Sequence, residues 1–193
     1  IKLNKENVIT DFVEKPTEFV SDLAIIGIYY FKDGANLKDE LQYLIDNDIT
    51  DKGEFQLTDA LENMKKKGTK FVPGKVDEWL DCGNYKATVY TNQRVLEFIK
   101  NEEIIDSSHK NDDSQIIEPC FIGKNVELKN AVVGPHVSVG DNTIIENSTI
   151  TNTIIQTNTV ITNSKLSNSM IGNFVKIDNN SQELSVGDYN EIK

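Results

Sequence analysis

The 193-residue chain carries a formal net charge of −11, which argues against nucleic acid as a partner, because phosphate binding calls for Lys and Arg in excess. A small phosphate ligand needs only one or two local cations and is not excluded. No apolar run reaches the roughly 18 residues of a membrane span, no signal peptide is visible, and 38% hydrophobic with 26% charged residues suits one large soluble domain or two small ones. The two cysteines, Cys82 and Cys120, form no CxxC or Cys/His metal pattern and read as structural thiols in a reduced, cytoplasmic setting.

The chain begins with Ile1, on a strand already under way, which suggests a fragment. Val8–Val13 reads as a strand and leads into Glu14-Lys15-Pro16, an acid, a base and a rigid stop. Taken alone, such a charged pair is more often solvated surface than the edge of a site. Residues 22–31 (DLAIIGIYYF) form a continuous apolar run of the kind that fills a buried strand. Leu37, Leu41, Leu44 and Ile45 recur at helical spacing, ending near Asn47-Asp48. A second helix is expected in FQLTDALENMKKKG, where Leu57, Leu61 and Met64 share a face and Gly68 supplies the stop. Thr69–Val76 is a further strand candidate, and Asn84–Lys100 predicts a last helix with Val89, Val95, Leu96 and Ile99 apolar. Residues 1–100 are therefore α/β in character. Residues 101–115 (NEEIIDSSHKNDDSQ) are polar, follow no sustained period and read as a linker.

From Ile116 the pattern changes. Aliphatic residues recur at Ile122, Leu128, Val133, Val139, Ile145, Ile150, Ile155, Ile161, Leu166, Ile171 and Ile177, five or six residues apart. Neither the helical period of 3.6 nor the strand period of 2 gives that spacing. A coil of three short strands per turn does, with one aliphatic inside on each flat side. Second inward positions are expected at Val126, Val137, Thr143, Thr149, Thr159 and Val175. Asn follows the same rhythm at 142, 147, 152, 158, 163, 168, 173 and 179, as tight corners needing left-handed backbone would require, and stacked corners can form side-chain ladders. Residues 116–180 are thus read as a parallel β-helix, with 181–193 as a C-terminal cap or tail. Ile144, Ile154 and Val160 point outward in this scheme, and an apolar outer stripe predicts self-association into a homo-oligomer.

The tail resembles the hexapeptide-repeat left-handed β-helix family, and the left hand comes from that resemblance. With it in view, FVEKP, AIIGIYYF, GEFQLTDAL and EWLDCGNY follow one another in the order found in sugar-phosphate nucleotidyltransferases. The chain is similar to the C-terminal part of glucose-1-phosphate thymidylyltransferases and mannose-1-phosphate guanylyltransferases. The likeness covers nearly all of residues 8–100. It implies a Rossmann-like mixed α/β domain, of which this chain holds the sugar-binding half.

The resemblance also implies roles. The Lys of EKP, Lys15, would contact the phosphate of a sugar-1-phosphate, and Glu14 would hold sugar hydroxyls. Two anions must approach in such a reaction, and a lysine beside the phosphate offsets their repulsion. Asp81, between Trp79 and Gly83, would be a Mg²⁺ ligand, and a hard cation of that kind needs only one or two carboxylates besides phosphate oxygens and water. Gly27 would let backbone approach the sugar, or would serve a close packing contact in a buried strand. Asp59 reads as a helix-start residue. Asn84 stands where the family more often has Thr. The family's Gly-rich nucleotide loop, its catalytic Arg and its first metal Asp would precede Ile1, so the piece alone is expected to be inactive. The implied reaction joins a sugar-1-phosphate to a nucleoside triphosphate, giving nucleotide-sugar and pyrophosphate.

A second class remains open, a β-helix acyltransferase using acetyl-CoA, alone or in a bifunctional protein. That chemistry wants a general-base histidine at a coil edge. His136, in VGPHVSVGD, is the candidate, against a purely structural role beside Pro135; His109 lies in the linker stretch.

Overall fold

The computed structural model describes residues 1–13 and 18–192. It separates into two units, Ile1–Trp79 and Leu80–Lys193. The sequence reading divides the chain near residue 100, so the helix that closes the α/β segment sits instead with the repeats.

In the first unit, β1 (Lys2–Leu3) and β2 (Ile9–Asp11) pair antiparallel. Two helices follow, α1 (Gly34–Asp46) and α2 (Leu57–Lys66), close to the spans the apolar spacing indicates. Asp33 caps α1 by accepting from the amide of Asn36, which satisfies one of the free donors at a helix start. Gly68 ends α2 with a φ of 99°, a left-handed conformation that glycine adopts without strain. Leu44, Leu61 and Met64 are fully buried, matching the helical faces read from sequence.

Two strand expectations fail here. Residues 22–31 form no strand, and Ile28 and Tyr30 are 78% and 87% exposed. Among the described residues no strand runs beside this segment to take its hydrogen bonds, and an unpaired strand is not a stable element. Residues 69–76 likewise form no strand; they contribute one strand-like contact, from the amide of Ile9 to the carbonyl of Phe71 at 2.8 Å.

The second unit opens with α3 (Tyr85–Ile99), as expected, capped by Asn84, whose side chain accepts from the amide of Ala87 at 3.0 Å. Asn and Thr are both good N-cap residues, so the departure at this position preserves the turn. The solenoid follows. Its first coil contains β3 (Lys110–Asp112), β4 (Gln115–Ile116) and β5 (Cys120–Ile122). The second contains β6 (Glu127–Lys129), β7 (Val132–Val133) and β8 (Val137–Val139). The third has β9 (Ile144–Glu146), β10 (Thr149–Thr151) and β11 (Ile154–Ile155), and the fourth β12 (Val160–Thr162), β13 (Lys165–Ser167) and β14 (Met170–Ile171). Then come β15 (Lys176–Asp178), β16 (Ser185–Val186) and β17 (Glu191–Ile192). Strands of successive coils pair in parallel, in sheets of six, four and five strands. The result is a parallel β-solenoid of about five turns, consistent with a left-handed β-helix.

Its core follows the repeat closely. All eleven aliphatics of the main rhythm are at most 2% exposed. The second inward set holds except at Thr149, where Ser148 is buried instead. Ile150 points in, and side chains alternate along a strand, so its neighbour Thr149 must point out. The corners are left-handed, with φ between 41° and 57° at Asn142, Asn147, Asn152, Asn158, Asn163, Asn168 and Asn179. The exception is Asn173, where the corner falls one residue later, on Phe174. Amide ladders join the coils, from Asn125 to Asn142 at 3.1 Å and from Asn130 to Asn147 at 2.8 Å.

The solenoid is longer than the repeat suggests at both ends. β3 and β4 arise within or at the edge of the stretch read as linker, and Ile105 bridges Ile122. Residues 181–192, within the stretch read as a cap or tail, continue the coil through β16 and β17, because Leu184, Val186 and Ile192 still face the core although the Asn rhythm has stopped. Of the three outward aliphatics, Ile144 and Val160 are cross-strand partners, whereas Ile154 lies on another sheet beside Met170. All three are half-buried. They make one pair and one separate position, not a single stripe.

Candidate active site

Glu14 and Lys15 lie outside the described residues. The chain ahead of them is anchored by aromatic packing: Phe12 meets Phe71 edge-on with centroids 5.2 Å apart, and Phe71 meets Phe31 at 6.3 Å. These contacts fix the end of the strand that leads into EKP to the end of the apolar run that carries Gly27.

Gly27 is exposed with a φ of 80°, and a Cβ built on it would meet no atom within 4 Å. Close packing is therefore not what selects glycine. The left-handed backbone is, and it leaves open space beside the peptide.

Asp81 is exposed, and among the described residues its carboxylate makes no hydrogen bond or ion pair. Its backbone is held firmly. The carbonyl of Asp81 accepts from the Thr91 hydroxyl at 3.1 Å, and Thr88 reaches the carbonyls of Cys82 at 3.4 Å and Asn84 at 3.0 Å. A Cβ on Gly83 would stand 3.0 Å from Oδ2 of Asp81, so glycine at that position leaves the carboxylate its place. A fixed backbone presenting an unengaged carboxylate to solvent fits a hard cation that takes its remaining ligands from phosphate and water. Among the described residues no group of three or more His, Cys, Asp or Glu side chains converges as a ready-made metal cage. Gly27 belongs to the first unit and Asp81 to the second. Asp59 sits in the first turn of α2, a helix-start position where a carboxylate faces the positive end of the helix.

Of the cysteines, Cys120 is fully buried in the solenoid core, its thiol pushed up by burial, and donates to the carbonyl of Ile117 at 3.0 Å. Cys82 is exposed, so it does not fill the structural role expected of it. His109 closes a turn onto the carbonyl of Asp106 at 2.8 Å.

His136 sits at a solenoid corner with a φ of 61°. Its Nε2 is 2.7 Å from Oε1 of Glu97 on α3. A carboxylate only accepts, so Nε2 carries the proton. The hydrogen bond from His136, with a second from Lys100, holds the Glu97 carboxyl below its ordinary range. The sequence reading missed this contact and the two threonine fastenings. The detectable signal was His136 itself, one coil ahead of Asn152 and two ahead of Asn168 at the same corner.

A sequence profile described as nucleotidyl transferase matches residues 1–97. The chain is 25% identical over 168 residues to a glucose-1-phosphate thymidylyltransferase of Streptomyces antibioticus, covering 79% of this chain and 46% of that protein. It is 22% identical to another of the same description from Streptomyces griseus, with the same coverage. A low-salt glycan biosynthesis nucleotidyltransferase, Agl11, of Haloferax volcanii is 26% identical over 163 residues, which are 76% of this chain and 44% of that protein. The chain spans about half the length of the curated relatives it matches. No helix among the described residues is long and apolar enough to cross a membrane. With half of its length matched by the family profile, the chain belongs to the nucleotidyl transferase family.

Proposed function

We propose that the protein serves the transfer of a nucleotidyl group from a nucleoside triphosphate to a sugar-1-phosphate, releasing pyrophosphate, in the cytoplasm. The observation that carries the reading is the family match over residues 1–97, with thymidylyltransferases among the relatives whose likeness runs on into the solenoid. The sugar phosphate oxygen attacks the α-phosphorus in line with the departing pyrophosphate, with no covalent enzyme intermediate. Lys15 neutralises the incoming phosphate, and Glu14 accepts from sugar hydroxyls and so orients the attacking group. Gly27 offers open backbone beside the sugar. Asp81 would offer a carboxylate oxygen to Mg²⁺, a cation that would supply charge neutralisation at the triphosphate. The solenoid serves as an oligomerisation or regulatory module, with the Ile144–Val160 pair as its outward apolar contact. The acyltransferase alternative would have to use Nδ1 of His136 as its base, since Nε2 donates to Glu97.

The test is calorimetric binding of glucose-1-phosphate to the chain and to Lys15→Ala, together with pyrophosphate release in the intact enzyme. Loss of sugar-phosphate affinity in the variant is expected. Equal affinity in both proteins removes Lys15 from the site.

A further inference from the structure

One corner of the solenoid is stacked differently from the others. In the regular ladders each Asn amide donates to the Asn oxygen one coil further on, as from Asn125 to Asn142 and from Asn130 to Asn147. At the corner facing α3 the same pattern runs from Asn152 to Asn168 at 2.8 Å and from Asn168 to Glu183 at 2.7 Å. One coil earlier the corner residue is His136, in the same left-handed conformation. Its ring leaves the ladder and turns to Glu97. With the ring turned away, Oδ1 of Asn152 is buried with no hydrogen-bond partner among the described residues. A buried amide oxygen without a donor is destabilising, and an Asn at position 136 could supply that donor. The sequence keeps His136 and the unmade bond.

A tie between the solenoid and α3 is gained in exchange. It is reinforced by Ser138, which donates to Asn92 Oδ1 at 2.6 Å, and by the Asn92 amide, which reaches the carbonyl of His136 at 3.4 Å. From the same helix, Thr91 and Thr88 hold the backbone of Asp81, Cys82 and Asn84. A continuous chain of contacts therefore runs from the solenoid corner, through α3, to the loop that presents the Asp81 carboxylate. We infer that His136 is a positioning residue: through Glu97 the solenoid corner holds α3, and with it the Asp81–Gly83 loop, in the geometry used at the nucleotidyl transfer site. The magnesium part of this statement rests on the assignment of Asp81 proposed above; the mechanical part does not.

Cys82 provides the readout, being exposed and adjacent to Asp81, while Cys120 is buried. The rate of its reaction with a disulfide reagent such as dithionitrobenzoate reports how firmly the loop is held. His136→Asn completes the ladder to Asn152 and cuts the tie to Glu97, so the unfolding temperature should hold or rise while the Cys82 rate increases several-fold. The Mg²⁺ concentration needed for half-saturation should rise about tenfold, the scale seen when a group supporting a metal ligand is removed. Glu97→Ala should give the same loosening at Cys82, and the double variant should add little to either. It also stands in for His136→Asn should that protein fold poorly. A Cys82 rate within twofold of wild type in both folded variants overturns the inference. Faster Cys82 reaction with unchanged Mg²⁺ dependence supports the tie and removes Asp81 from the metal. Lowered Mg²⁺ affinity in Asp81→Asn, with both tie variants like wild type, keeps the metal assignment and sinks the tie.

Discussion

The two units solve the burial problem in opposite ways. In the solenoid every coil covers the next, so an inward aliphatic finds its neighbours about 16 residues away in either direction, and the inward aliphatics from Ile122 to Ile177 are buried. In the first unit Ile28 and Tyr30 stand 78% and 87% exposed, although the run of residues 22–31 that contains them is as apolar as any solenoid strand. The lesson is that apolar sequence buries itself only where a partner surface is within reach. A repeat supplies that partner locally; a mixed sheet must find it at long range.

The largest expected effect puts this contrast under direct strain. Leu166→Ala removes a side chain that is 1% exposed and should destabilise the solenoid by about 2–5 kcal/mol, whereas Ile28→Ala in the first unit should stay within about 0.5 kcal/mol. Urea unfolding of the two variants measures both. Equal losses would mean that Ile28 is covered and that the two units do not differ as described.

Lys15→Ala asks whether the first unit carries function where it lacks packing. A charge-assisted contact to the sugar phosphate is worth about 2–3 kcal/mol in the transition state, which steady-state kcat/KM for the sugar phosphate in the intact enzyme should register with little change in stability. In the second unit Asp81→Asn should raise the Mg²⁺ requirement and leave the unfolding temperature alone, because Asn keeps the shape and drops the charge a hard cation needs. A collapse of the melting temperature with unaltered metal dependence would make Asp81 a structural residue.

Ile144→Lys places a charge in the outward apolar pair and should weaken self-association without touching the core. Light scattering at tens of micromolar compares it with the wild type, for which a mass above one 21.7 kDa chain is expected; a wild-type mass of one chain ends the oligomer reading.

The smallest effect concerns acid. Glu97, held low by His136 and then Lys100, and Glu127, held low by Lys110, both belong to the second unit. A carboxyl whose folded value is depressed stabilises the fold above its ordinary, unfolded value, and that contribution is lost as pH falls through the folded value. The second unit should therefore loosen modestly as pH drops below the ordinary glutamate range, with the amides of α3 losing protection in hydrogen exchange. Unchanged protection between neutral pH and acid would remove the Glu97 pair from the account of how α3 is held.

Most of the solenoid was legible from the chain alone, because a five-or-six-residue spacing of aliphatics, with Asn at the corners, has one economical solution. The three helices were legible for a similar reason, each having its own apolar face, with Gly68 as a stop after the second; the caps at Asp33 and Asn84 came from the structure. The candidate site could be proposed only from a resemblance, through EKP, Gly27 and the W-x-D-x-G run around Asp81, since local periodicity does not separate a metal-binding carboxylate from a solvated one. Tertiary structure alone decided three things. Residues 22–31 are not a strand, because pairing depends on a neighbour that spacing cannot report. The last residues keep coiling, because Leu184, Val186 and Ile192 still find the core after the corner signal has faded. And α3 belongs with the solenoid, because Glu97 meets His136 across 39 positions of sequence, a distance over which no local pattern carries information and only packing can choose the partner.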